Sequence, residues 1–476
     1  MLKKSLLKIA GIICLSLVYG ACTLPNYGRR TESTATPPNY YGSNDTVNTA
    51  RVQWRDFFTD PNLEALIDTA LRNNQELNIV MQEINIAKNE VRARKGAYLP
   101  FVNGEVGAGV EKVGDFTRSG AVEHTDEIAP GKTFPNPLPD YYLGLTASWE
   151  LDIWNKLRTA RKSAILRYLS TVEGRNFMVT QLVSEIANSY YELMALDNQL
   201  QILQRNIEIQ TNALEIVRLQ KVAARVTELA VRRFEAEVLK NQSRQYYIVQ
   251  NIVVVENRIN FLVGRFPQPV KRSSEGFIDL VPAPVRAGIP SQLLRNRPDI
   301  RQAENMLAAS KLDVNVARKN FYPTLMITAG VGYDAFNTSY LLKPESMIYS
   351  AFGHLVAPLV NRNAIKAEYF SANARQIQSV YDYERKILNA YIEVANQVSN
   401  ISNLEKSYAL RSKQVATLTT SIDISTGLFK SARADYMEVL LTQRDALESK
   451  FELIETKKQQ MNAMVNVYQA LGGGWN

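Results

Sequence analysis

Cysteine and histidine are nearly missing: Cys14, Cys22, His124 and His354 are the whole supply in 476 residues. A disulfide framework, a Cys/His zinc site and a histidine-based triad therefore lack raw material. No catalytic, cofactor-binding or metal-ligating residue is expected. Proline is absent from 140–266 and again from 359–476, spans of 127 and 118 residues. Glycine in those spans is limited to Gly144, Gly174 and Gly264, and to Gly427, Gly472, Gly473 and Gly474. Stretches so free of breakers predict very long helices. A long apolar run is missing too, since the one from Ile9 to Val18 is too short to span a bilayer.

What is present is a chain that should fold, with 46% hydrophobic and 21% charged residues. The net charge of +8 includes Lys3, Lys4 and Lys8 of a leader, so the rest carries about +5, too little to argue for nucleic acid. Residues 1–21 have a basic start, an apolar run and small Gly20 and Ala21 before Cys22, the layout of a signal peptide. Val18-Tyr19-Gly20-Ala21-Cys22 resembles a bacterial lipobox, in which the cysteine is acylated, except that Tyr19 stands where leucine is usual. Acylation of Cys22 and ordinary cleavage close to an unmodified cysteine both fit. Acyl chains would reinforce attachment without spanning; Thr23, in place of aspartate, would permit sorting to the outer membrane.

The chain also repeats itself. Leu71-Arg72-Asn73 matches Leu294-Arg295-Asn296, and Ala93-Arg94-Lys95 with Tyr98 matches Ala317-Arg318-Lys319 with Tyr322, at an offset of 223 to 224. Further on the offset is 208. Leu182, Ile186, Ser189, Leu193, Leu196, Leu200, Leu203, Ile207, Gln210, Leu214 and Val217 alternate steps of four and three, and adding 208 traces a more polar seam from Ala390 to Ser425. Such a heptad predicts coiled-coil packing. Long helices are expected over 154–223 and 361–430, about 105 Å each if unbroken. Shorter ones are expected over 62–95, 227–263, 291–320 and 433–470, pairs of which could stack to match a long one.

Each half carries two extended stretches, 101–113 with 141–152 and 325–336 with 346–357, of membrane-strand length but with irregular alternation. Tyr141, Tyr142, Trp149, Trp154, Tyr333, Tyr340 and Tyr349 near their ends suit an aromatic girdle or a core equally. The connectors 114–140 and 337–345 read as external loops. Four strands cannot close a barrel, and open edges are forbidden in lipid. Several copies must share one; three would give twelve strands.

Several stretches together resemble the TolC-like outer-membrane factors, in particular the OprM/NodT lipoprotein branch. They are Cys22-Thr23-Leu24-Pro25-Asn26-Tyr27, Trp54-Arg55-Asp56-Phe57-Phe58, Asp60-Pro61-Asn62-Leu63, Arg297-Pro298-Asp299-Ile300-Arg301 and Leu471-Gly472-Gly473-Gly474-Trp475. The resemblance implies an α+β membrane protein: a homotrimeric outer-membrane β-barrel, four strands per chain, continuous with a periplasmic α-helical coiled-coil barrel. It implies a signal peptide (1–21), a lipidated extended segment (22–61), a first repeat (62–264), a linker (265–290) and a second repeat (291–476). The implied work is passive efflux of small molecules in a tripartite pump, with a periplasmic adaptor and an inner-membrane transporter of RND type as partners.

The same resemblance places the adaptor-contact tip at Ala224, Arg225, Thr227 and Ala432, and a periplasmic gate at Phe429, Arg433, Asp435, Glu438, Leu441 and Arg444. Glycine is usual in relatives where Ala224 and Ala432 stand. Glu438 would either ring the constriction or face solvent on the outer side. Arg433 and Arg444 would either latch the tip by pairing with Asp435, Glu438 or Asp445, or decorate the surface. Protein secretion and metal export use similar channels. A coiled-coil scaffold or adhesin would explain the heptads but not the strands, and an enzyme built on a pair such as Glu185 and Glu192 lacks a convergent pocket.

Overall fold

A computed structural model describes residues 30–40, 46–431 and 433–475. The leader, Cys22 and Ala432 lie outside the described residues. The helices in chain order are α1 (Trp54–Phe57), α2 (Pro61–Asn73), α3 (Gln75–Gly96), α4 (Arg118–Thr125), α5 (Lys156–Val222), α6 (Glu228–Val263), α7 (Leu293–Asn296), α8 (Pro298–Lys319), α9 (Asn363–Lys430) and α10 (Tyr436–Ala470). The strands are β1 (Phe101–Glu111), β2 (Glu127–Ala129), β3 (Lys132–Thr133), β4 (Leu138–Leu151), β5 (Thr324–Ala335) and β6 (Met347–Val356). The order helix, strand, strand, long helix, return helix thus occurs twice. The chain divides into two compact units.

The first unit holds residues 86–168 and 305–380. Its centre is an antiparallel sheet of order β1-β4-β5-β6. Beneath it, Val314, Ala317, Phe321, Tyr369 and Ala372 form a small core. The hydroxyl of Ser163 donates to Asp313 at 2.6 Å, and Arg167 also pairs with Asp313. The connector 114–140 is more ordered than the loop expected from sequence. Thr117 accepts from the Gly120 amide at 3.1 Å and starts α4, β2 and β3 form a small hairpin, and β4 begins at Leu138.

The second unit holds residues 32–85, 169–304 and 381–476. Its main core gathers Trp54, Phe57, Phe58, Leu63 and Ile67 with Ile186, Tyr190, Leu193, Ile259, Val263, Val465 and Tyr468. Phe57 stacks on Tyr468 at 4.1 Å, and the Tyr468 hydroxyl donates to the Val52 carbonyl at 2.6 Å. The heptad seam of α5 is buried or half-buried throughout, and that of α9 mostly half-buried. Where the seam turns polar, the Asn241 amide donates to Gln210 Oε1 at 2.8 Å, both groups being buried.

The helix expected over 62–95 is broken at Asn74, because that side chain caps the Leu77 amide at 2.8 Å and donates to the Leu262 carbonyl at 2.9 Å. Pro298 likewise separates α7 from α8. Here Arg297 does the work of Asn74: it donates to the Ala470 carbonyl at 2.8 Å, and Ala470 lies 208 beyond Leu262. The matching glycines, Gly264 and Gly472, end α6 and α10 with φ of 73° and 88°. A Cβ on either would sit about 2.5 Å from the carbonyl oxygen of Asn73 or Asn296, the last residues of the repeated Leu-Arg-Asn motif. A motif visible as sequence is thus the seat of a helix end.

Candidate functional site

Two places carry functional geometry, the sheet and the hairpin turns. In an antiparallel ladder directly opposed residues share a face. The register sets Val102, Val106 and Val110 opposite Ala147, Leu143 and Pro139; Leu145 opposite Val331; Trp149 opposite Ile327; and Val331 and Tyr333 opposite Tyr349 and Met347. That face is apolar from β1 to β6, and its large residues are exposed: Val106 at 83%, Leu145 at 52% and Tyr349 at 80%. The other face holds Asn103, Glu105, Asp140, Tyr142, Thr146, Ser148, Glu150, Thr328, Asp334, Ser350 and His354 among glycines, and is polar along the middle of β1, β4 and β5 while Phe101, Leu138 and Met326 lie towards strand ends and Ile348, Phe352 and Val356 make it largely apolar on β6. A polar and an apolar face on strands of 10 to 14 residues is the pattern of a membrane barrel wall. Tyr141, Trp149, Tyr333 and Tyr349 lie on the apolar face and Tyr142 on the polar one. Trp154 lies off the strands, its indole N–H donating to the Pro323 carbonyl at 2.7 Å, and Tyr340 stands in the β5–β6 connection, edge-on to Phe336. The edge strands β1 and β6 each have one neighbour.

The first hairpin turn joins α5 to α6. The Arg225 amide donates to the Gln220 carbonyl and the Ala224 amide to that of Lys221, both at 2.9 Å, which closes α5 with Ala224 at φ 56°. Glycine is favoured there because a Cβ opposes the left-handed conformation. Ala224→Gly should therefore stabilise the turn by about 1 kcal/mol, read as roughly fivefold slower hydrogen exchange of the Arg225 amide; unchanged exchange would refute this account. At the second turn the Arg433 amide donates to the Leu428 carbonyl, again at 2.9 Å and 208 residues on.

The turns match in backbone but not in what clamps them. At the first, Lys221 meets Glu228 at 2.5 Å, Arg232 meets Glu228 at 2.9 Å and Glu235 at 3.0 Å, and Arg218 meets Glu215 at 2.7 Å. The Lys221 ammonium beside it holds the Glu228 carboxyl below the usual range. The positions 208 further are Phe429, Tyr436, Leu440, Gln443, Thr426 and Asp423. Leu440 packs with Leu214, Val217, Ala230, Val231, Phe234 and Val238, and the Tyr436 ring lies 6.5 Å from that of Phe234.

Of the residues singled out from sequence, Arg225 and Thr227 lie exposed at the first turn with Ala224. Phe429 is half-buried, while Arg433, Asp435, Glu438, Leu441 and Arg444 are exposed at the second. Arg444 pairs with its neighbour Asp445 at 3.2 Å. Sequence reasoning missed the links between the two hairpins. Arg244 of α6 grips Glu448 of α10 at 2.7 and 3.4 Å, its guanidinium 4.0 Å above the Phe451 ring; within the second hairpin, Arg411 of α9 pairs with Glu452 of α10. It also missed Leu219, Val222 and Leu229, apolar residues exposed by 70%, 85% and 56% beside the first turn. Their signal was present: apolar side chains off the seam.

A sheet apolar on one face and polar on the other, in a chain that also builds hairpins of long heptad helices, defines a membrane-embedded channel component. The chain belongs to the outer membrane efflux protein family, which it matches over residues 66–265 and 289–473. It is 26% identical to the cation efflux system protein CusC of Escherichia coli O6:H1, over 97% of this chain and 98% of that protein. It is equally similar to the solvent efflux pump outer membrane protein SrpC of Pseudomonas putida, over 97% of each. The open state of the MtrE outer membrane channel of Neisseria gonorrhoeae has the same fold, with a TM-score of 0.82 over 95% of this chain and 98% of that one at 23% identity. The protein acts in the outer membrane, in efflux.

Proposed function

We propose that the chain is the passive exit duct of a tripartite efflux pump and works as a homotrimer. The observation that supports this best is the two-faced sheet with unpaired edges: β1 of one copy joins β6 of the next, and three copies close twelve strands with the polar face inward. The two repeats, 62–264 and 291–476, joined by the linker 265–290, give each copy two helical hairpins, and those of three copies surround a periplasmic tunnel. A signal peptide and a segment lipidated at Cys22 precede them. No covalent chemistry is required, because an inner-membrane transporter, of RND type, supplies the energy through a periplasmic adaptor.

The adaptor docks on the turns, at Arg225 and Thr227 and on the exposed Leu219, Val222 and Leu229. The gate is the second turn, where Glu438 and Leu441, three apart on α10, present one face. The cargo is small molecules. The names of the relatives mention cations and solvents, so the pump partner, not this duct, selects among them.

Purified protein should run as a trimer that dissociates on heating in detergent, and should conduct ions in planar bilayers. Substituting Arg433, Glu438 and Arg444 together by neutral residues should raise single-channel conductance. A monomer without conductance would refute the channel; a normal channel whose conductance the substitutions leave unchanged would refute only the gate.

A further inference from the structure

All four junctions between sheet and helices fall at one end of the sheet, because the register sets Phe101 opposite Ser148, Leu151 opposite Leu325 and Thr324 opposite Val356. The segments that build this end, 92–100, 152–162, 318–323 and 357–366, hold eleven basic residues and one acidic residue, Asp152. The connectors at the other end, 112–137 and 336–346, are balanced, with four basic and five acidic residues. Helix polarity does not explain the excess. Arg94 and Lys95 close α3, and Arg318 and Lys319 close α8, where a cation suits the negative end of the dipole. Lys156 and Arg158, however, stand in the opening turn of α5, and Arg362 and Lys366 flank the opening turn of α9, where the dipole disfavours them and no acid offsets them. In contrast, α6 and α10 open with Glu228 and Glu438, as the dipole prefers. What the four basic helix ends share is the edge of the sheet. Asp152 accepts from the Leu157 and Arg158 amides at 2.9 Å, so its carboxylate is used as a cap. Lys156 meets Glu150 at 2.6 Å and Arg94 meets Glu90 at 2.7 Å, but among the described residues Arg92, Lys95, Arg158, Lys162 and Lys366 pair with no carboxylate, and all five are exposed.

Aromatic contacts tie these cations to the apolar side of the sheet. Trp149, on the apolar face, donates its indole N–H to the Tyr98 carbonyl at 3.0 Å; the Tyr98 ring lies 5.8 Å from the Arg158 guanidinium, and its hydroxyl accepts from Arg161 at 3.3 Å. Trp154 packs on Tyr322 at 5.2 Å in the same rim. Cations bordering an aromatic rim, beside an apolar face, is the arrangement of a membrane–water interface. Resting on the reading of the sheet as part of an outer-membrane barrel wall, we propose that this basic collar binds anionic phospholipid headgroups of the periplasmic leaflet, with Arg92, Lys95, Arg158, Lys162 and Lys366 meeting their phosphates. The long stems lie along the apolar rim while the charges reach the headgroups. The phosphates of lipids in the other leaflet meet the end of the sheet whose charges balance, which offers them no comparable attraction. Because the five side chains are exposed, the attraction should fade with salt, as screening shortens from about 10 Å at 0.1 M to about 3 Å at 1 M.

Tryptophan fluorescence reads the collar directly, since Trp149 and Trp154, two of the four tryptophans, lie at its rim. The full-length protein is reconstituted in phosphatidylcholine bilayers that contain acyl-brominated phosphatidylglycerol or, at the same mole fraction, acyl-brominated phosphatidylcholine, and quenching gives the relative affinity of the two. At about 0.1 M salt the wild type should favour phosphatidylglycerol about threefold, and the ratio should approach one near 1 M. R92Q/K95Q/R158Q/K162Q/K366Q should bring the ratio to one at low salt, whereas neutralising Lys112, Arg118, Lys132 and Lys343 at the other end of the sheet should leave it unchanged. R158Q/K162Q carries the test, with a smaller fall, if the fivefold variant does not assemble. A wild-type ratio of one, a ratio that survives the collar substitutions, or one that falls as far with the substitutions at the other end would overturn the inference and leave the barrel standing. Absence of quenching by either brominated lipid would overturn the barrel reading beneath it.

Discussion

Leu145→Arg should nearly abolish the heat-dissociable trimer in the outer membrane, whereas Thr146→Arg, one residue along, should leave most of it. The two side chains leave the same strand in opposite directions. Leu145 faces Gly104 and Val331 on the apolar side and is 52% exposed. An arginine near the midplane of a barrel's lipid face costs about 2–4 kcal/mol, and a trimer incurs it three times. Thr146 faces Asn103 and Gly330, and an arginine there finds Glu105 within reach. Immunoblots of membranes from unheated and heated samples would decide the matter. Equal loss for both variants would mean that fold disruption, not lipid exposure, governs the outcome, and equal survival would remove the apolar face from the bilayer.

Arg297→Met should destabilise the chain by about 3–5 kcal/mol, the range for removing one partner of a buried ion pair. The guanidinium, 6% exposed, grips Asp299 at 3.0 and 2.8 Å and reaches Glu393 at 2.6 Å and the Ala470 carbonyl at 2.8 Å. Methionine matches its stem but leaves Asp299, 4% exposed, as a buried anion without a cation. Arg297→Met/Asp299→Asn should recover part of the loss, and Arg297→Lys should fall between, since an ammonium cannot reproduce the two-pronged grip. Thermal unfolding of the detergent-solubilised trimer, followed by helical circular dichroism, checks the order of the four proteins. A double variant no better than Arg297→Met would show that packing, not stranded charge, dominates.

The long helices, both hairpin turns and the strand positions were legible in the sequence because each rests on a local signal: an absence of breakers, a heptad step, or a cluster of glycine and tyrosine. The two faces of the sheet were not. Read along one strand, Gly104 and Ala108 blur the apolar side as Gly107 and Gly109 blur the polar one, and only the partners across the ladder show that Gly104 sits with Leu145. The Arg244–Glu448 link escaped for another reason: its partners are 204 residues apart, and no local pattern joins them. Helix α4 escaped because it is a single capped segment of 8 residues in a connector rich in proline. Arg297-Pro298-Asp299 read as a helix start, which it is, but the Ala470 carbonyl to which the arginine also donates lies at the opposite end of the repeat.

The polar contact between Gln210 and Asn241 limits how the first hairpin can move. Sliding α6 along α5 by one notch of their packing would part these two amides in a dry environment and strand both. Swinging that hairpin as a stiff pair, like a closed pair of tongs turning at its pivot, keeps the contact, whereas shearing its two arms past each other breaks it.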